Sequence, residues 1–175
     1  MKKWLAFLLA LLTYVALHEG AHALVAAMYG ELETFRARPL GFEVVLQTPT
    51  DERNGVQWAF ISGTSNVLTL LLGYSLLMLS EKFNRLQSSF LKVSVFYITF
   101  LLLLIDAFNL SIGPFIYGGD VNGIAVGLGV NRYLIQAFFF MVMLANRELA
   151  ARKLFPAYHV QSRHPLFKPW ILFMR

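Results

Sequence analysis

His18-Glu19-Gly20-Ala21-His22 sets two imidazoles four residues apart with a carboxylate directly after the first, an HExxH sequence. On a helix each residue turns about 100°, so His18 and His22 lie about 40° apart on one face and can share one divalent cation. Glu19 then stands beside the ion as a general base. With 4 His in 175 residues, an accidental HExxH is expected in about one chain in a few hundred. Here it falls inside an apolar stretch, residues 4–29, where ionisable side chains cost free energy and mark a functional site by default.

Two imidazoles hold a divalent ion incompletely, since a hydrolytic zinc site has three protein ligands and leaves one position for water. The chain has no cysteine, so the third ligand must be His, Asp or Glu. His159 and His164 belong to a basic tail and read as interfacial side chains. Asp106 and Asp120 are left. Depth favours Asp106, which lies about as far into its apolar segment as His22 lies into the first. Backbone context favours Asp120, which follows the helix-breaking Gly113-Pro114 and Gly118-Gly119 pairs. The bland readings are Asp120 as a helix N-cap and Asp106 as a polar partner of a ligand.

These groups must be positioned by apolar helices. The chain is 57% hydrophobic and 14% charged, with mean hydropathy +0.58, where a soluble domain is roughly 25% charged. Its 175 residues leave room for about four spans of roughly 20 residues and no sizeable soluble domain. The expected fold is an all-α polytopic membrane protein with spans near residues 4–29, 56–79, 90–112 and 121–145. Met1-Lys2-Lys3 and the A-x-A-like Ala21-His22-Ala23 resemble a secretory signal. The apolar run continues to Met28, however, and cleavage would sever HExxH, so a retained first span is expected.

Between the first two spans, residues 31–54 mix polar and apolar types, with Pro39, Gly41 and Pro49 as punctuation. Glu43 to Gln47 carries β-branched residues too briefly for a span, which predicts a short β-hairpin or re-entrant segment at the membrane edge. Ser62-Gly63-Thr64-Ser65-Asn66 would let a neighbouring helix approach closely, and Asn66 needs a buried partner. The break at residues 113–120 precedes the fourth run, which Asp120 is expected to begin and cap. Residues 1–145 form the membrane-embedded core, and residues 146–175 a basic, aromatic interfacial tail containing Arg147, Arg152, Arg163 and Trp170.

The formal charge of +5 comes from Lys and Arg that flank apolar segments without forming a solvated stripe, which excludes nucleic acid as partner and points to lipid headgroups. With four spans, Lys2, Lys3, Lys82, Arg85 and the tail fall on one side. A multi-pass protein of the cell membrane with both termini cytoplasmic is therefore expected.

HExxH in a first span, Gly63-Thr64-Ser65-Asn66 in a second, and Asn109 through Asp120 before a last helix together resemble the site-2 protease family of intramembrane zinc metalloproteases. The resemblance covers about the first four fifths of the chain, and HExxH is its specific part. It implies that His18, His22 and Asp120 hold Zn2+, that Glu19 is the catalytic base, and that Asn66 and Asn109 are polar supports near the substrate. Asp106 stays as alternate third ligand. Thr64 stands where the family has proline, Val121 follows Asp120 where it has glycine, and the interval from Asn109 is longer, as in a divergent short member.

The activity expected is zinc-dependent hydrolysis of peptide bonds in membrane-spanning or membrane-proximal protein substrates. Such a substrate must be unwound, and the segment from Glu31 to Gln47 could pair with it as an added strand. Two other classes stand beside this one: a metal-ion or proton transporter using His18, Glu19, His22 and Asp106, and an inactive, protease-like membrane scaffold.

Overall fold

A computed structural model describes residues 2–38, 41–117, 119–162 and 164–170. Pro39, Gly118 and Arg163, singled out above, lie outside the described residues. Helix α1 (Lys2–Met28) leads into a hairpin of β1 (Leu32–Arg38) and β2 (Gly41–Leu46). Helices α2 (Gln57–Met78), α3 (Ser80–Asn84), α4 (Ser89–Ser111), α5 (Pro114–Tyr117), α6 (Val121–Leu128) and α7 (Arg132–Leu149) follow. A π-helical turn, Ala150–Leu154, joins α7 to α8 (Phe155–Ala157).

Four helices are long and apolar enough to cross a membrane: α1, α2, α4 and the continuous Arg132–Ala157 rod. The packing of α1 is inverted relative to a water-soluble core. Helix α1 buries Ala6, Ala10, Ala21 and Ala26 while Leu5, Leu8, Leu9, Leu12 and Leu24 face outward. Small residues inside let backbones approach, and large apolar residues outside suit hydrocarbon.

Helix α4 is central, packing against α1, α2 and α7. Phe7 meets Tyr97 and Tyr14 meets Asp106, so α1 and α4 run parallel. Thr69 meets Asp106, and Gly73 lies against Leu102, so α2 runs antiparallel to α4. Helix α7 is antiparallel to α4 as well, with Gln136 donating to Ser111 O (2.9 Å) and Asn146 to Leu103 O (2.7 Å).

The hairpin expected after the first helix is present, with antiparallel register pairing Phe35 with Val44 and Arg36 with Glu43. Leu32 and Leu46 pack on Ala26, Trp58 and Ile61, which pins the hairpin across the ends of α1 and α2.

The fourth apolar run is not one helix from residue 121 to 145. Gly129 takes a left-handed φ of 64° that closes α6, and Asn131 caps α7 by accepting from Tyr133 N at 2.9 Å. At 8 residues, α6 is only about 12 Å long and cannot cross a bilayer. The helix here that is long and apolar enough to cross runs through Asn146 and Arg147. The tail returns to it: Arg147 lies 3.8 Å over Trp170, pairs with Glu148 at 2.5 Å and donates to Leu166 O.

Candidate metal centre

Tyr14, His18 and His22 form one stripe on α1, four residues apart, and all three are buried. That stripe meets α2 and α4. His22 Nδ1 lies 2.6 Å from Ile61 O on α2, and His18 Nδ1 lies 2.9 Å from Asp106 Oδ1 on α4. In a neutral imidazole the nitrogen facing an oxygen acceptor carries the proton, which leaves the other nitrogen as a lone-pair donor to a metal. Both Nε2 atoms are thus the unprotonated nitrogens, and they face each other at 3.2 Å.

Asp120 completes the group. Its Oδ2 is 3.4 Å from His18 Nε2, and its Oδ1 is 3.3 Å from His22 Nε2. His18, His22 and Asp120 are the residues whose donor atoms converge closely enough to hold one ion among the described residues. A tetrahedral zinc with ligand bonds near 2.05 Å has donor-to-donor edges of about 3.3 to 3.4 Å. The three observed separations, 3.2 to 3.4 Å, lie near that edge, with the carboxylate reaching His18 through Oδ2 and His22 through Oδ1. Ser65 Oγ, 2.8 Å from His22 Nε2, offers a hydroxyl beside the same lone pair.

Asp120 is held by two amides. Asn66 Nδ2 and Asn109 Nδ2 donate to its Oδ2 at 2.9 and 3.0 Å. The sequence expectation that Asp120 caps the fourth helix is corrected here. It precedes Val121 with φ −64° and makes no side-chain cap bond, because its carboxylate is turned toward the imidazoles. The backbone allows this through Gly119, whose φ of 116° is left-handed and whose absent Cβ would sit 2.9 Å from Asn109 Oδ1.

Helix α6 reaches its position because glycines recur every four residues at 119, 123 and 127. A Cβ on Gly127 would collide with Ala59 N, and one on Gly123 would collide with Ser62 Oγ. The α2 and α6 backbones are therefore nearly touching, which brings Asp120 and Asn66 to one level. Sequence reading saw the small residues of α2 and Gly119, and missed Gly123 and Gly127.

Asp106 is not in the converging group. It is fully buried and spends its oxygens on three partners: Tyr14 OH, Thr69 Oγ1 and the Nδ1 side of His18. That is the position of a carboxylate orienting a ligand imidazole. Tyr14 and Thr69 were not singled out from sequence, although Tyr14 sits one helical repeat before His18.

Glu19 lies on the flank of the same stripe, half-buried, and its Oε2 accepts from Val44 N of β2 at 3.3 Å. The hairpin therefore touches the candidate base directly. A cavity of about 510 Å³ is lined by His18, Glu19, His22, Asn109 and Asp120 together with Glu43, Val44, Thr50 and Arg53 of the hairpin side.

The chain matches no family model, no curated protein and no solved structure.

Proposed function

We propose that this chain is an intramembrane zinc metalloprotease of the kind its HExxH, Asn66 and Asn109-to-Asp120 segments resemble. The observation that carries this reading is the convergence of His18 Nε2, His22 Nε2 and the Asp120 carboxylate, with contacts of 3.2 to 3.4 Å, in the wall of a cavity that Glu19 also lines. The donor set is two imidazoles and a carboxylate, which suits zinc in an open hydrolytic site. A bound zinc ion would lower the pKa of water and polarise a carbonyl.

The protein's own groups supply the rest. The Asp106 carboxylate beside His18 Nδ1 and Ile61 O beside His22 Nδ1 favour the tautomers whose lone pairs point at the site. Glu19 accepts a proton from the attacking water as the new C–O bond forms, then delivers it to the amine as the C–N bond breaks. Asn66 and Asn109 fix Asp120, so the carboxylate need not reorganise during the reaction. Val44 N holds Glu19 near β2, where the substrate's backbone would lie extended.

The site lies about 9 to 15 Å along α1 from its end at Met28, given the 1.5 Å helical rise. It is thus inside the apolar layer and open toward the hairpin. The charge distribution supports both termini in the cytoplasm and the hairpin on the opposite side. The test of function is purification in detergent of the wild type and Glu19→Gln, with zinc content and cleavage of a panel of single-span membrane proteins measured for each. Proton or metal flux in vesicles without proteolysis would instead support the transporter reading.

A further inference from the structure

The cavity that holds the candidate metal group is lined by acids at Glu19, Glu43 and Asp120 and by one cationic side chain among its described lining residues, Arg53. Arg53 is held in a fixed plane. Its guanidinium lies 4.5 Å over the ring of Trp58, which is 1% exposed, and its Nε donates to Thr48 O at 3.2 Å.

Those two contacts leave both Nη groups of Arg53 without a hydrogen-bond acceptor among the described residues. The neighbouring acid does not take them up: the Glu31 carboxylate accepts from Thr48 N at 3.1 Å and from Thr48 Oγ1 at 3.0 Å. Burial lowers the guanidinium's pKa from its ordinary value, and the Glu31 charge raises it without restoring it. A planar fork, partly withdrawn from water and lacking a paired anion, has the geometry and the electrostatic need for a carboxylate.

We propose that Arg53 is the carboxylate-binding subsite of this cavity, so that the peptide bound there carries an anionic carboxylate beside the bond presented to the metal group. The proposal rests on the metalloprotease reading for what the cavity binds. Two sources share the chemistry: an Asp or Glu side chain within a longer chain, and the free C-terminal carboxylate of a peptide. Among the described lining residues outside the metal group, Arg53 is the one cation, so a carboxylate bound by it fixes the register of the peptide.

The test uses zinc-loaded, full-length Glu19→Gln protein in detergent and one fluorescent apolar peptide in three versions. The first has an internal Asp and an amidated C-terminus, the second an internal Asn and an amidated C-terminus, and the third an internal Asn and a free C-terminus. One carboxylate version should bind about tenfold to a hundredfold tighter than the uncharged second version, and which one identifies the source. Adding Arg53→Gln should abolish the preference, and Arg53→Lys should restore part of it. In otherwise wild-type protein Arg53→Gln should raise KM for the preferred carboxylate peptide and leave kcat within about threefold. Equal binding of all three versions, or a preference that survives Arg53→Gln, overturns the subsite. If the preference holds in binding while wild type cleaves none of the peptides, hydrolysis fails and the subsite stands. If wild type cleaves carboxylate and uncharged versions alike, the reverse is true.

Discussion

Asp106 Oδ1 lies 2.9 Å from His18 Nδ1, on the side of the imidazole turned away from Asp120. This contact assigns the two aspartates different work: Asp120 faces the space between the imidazoles, and Asp106 orients one of them from behind. Asp106→Asn should therefore weaken zinc binding about tenfold to a hundredfold without abolishing it. Competition against a chelator of known affinity measures this. An unchanged affinity would remove Asp106 from the site.

Asp120→Ala has a harsher expected outcome, because it deletes a converging donor and leaves two. Purified protein should lose stoichiometric zinc, while Asp106→Ala keeps a measurable fraction. The opposite ranking would make Asp106 the third ligand. Asn66→Ala and Asn109→Ala each remove one donor to Asp120 and should keep zinc while slowing turnover by about tenfold.

Much of this site was legible in one turn of helix, and the rest was not, for a physical reason. His18, Glu19 and His22 are placed by the geometry of α1 alone, so spacing sufficed. Choosing between Asp106 and Asp120 required knowing which faces of α4 and α6 meet α1, which local sequence does not encode. Both aspartates sit at a workable depth, and the choice falls to Gly119, which turns the backbone, and to Gly123 and Gly127, which admit α6 against α2. The four apolar helices and the hairpin followed from composition and punctuation. The break in the fourth run did not, since Gly127, Gly129 and Asn131 are scattered in a stretch that is otherwise continuous and apolar. Arg53 looked like an ordinary loop charge until Trp58 and the cavity were placed around it.

The α2–α6 contact predicts a stability effect far from the metal donors. Gly127→Ala would drive a Cβ into Ala59 N and should destabilise the fold by about 1 to 3 kcal/mol. Gly20→Ala is the matched control, with nothing within 4 Å of its Cβ. Thermal unfolding in detergent should separate the two. A Gly127→Ala protein as stable as wild type would mean that α6 sits farther from α2.

The orientation is testable because the chain has no cysteine. Single cysteines at Asn54 and at Gln87, both exposed in loops, should label from opposite sides of sealed vesicles, with Gln87 on the cytoplasmic side. Labelling of both from one side would contradict the four-span arrangement.

The central claim is that His18, His22 and Asp120 hold zinc while Glu19 moves the proton. The most direct measurement pairs zinc stoichiometry with cleavage of membrane-protein substrates in wild type and Glu19→Gln. Both proteins should carry about one zinc per chain, and the variant should lose at least about a hundredfold in cleavage rate. Wild-type protein that binds no zinc, or a Glu19→Gln variant that cleaves as fast as wild type, would contradict the account.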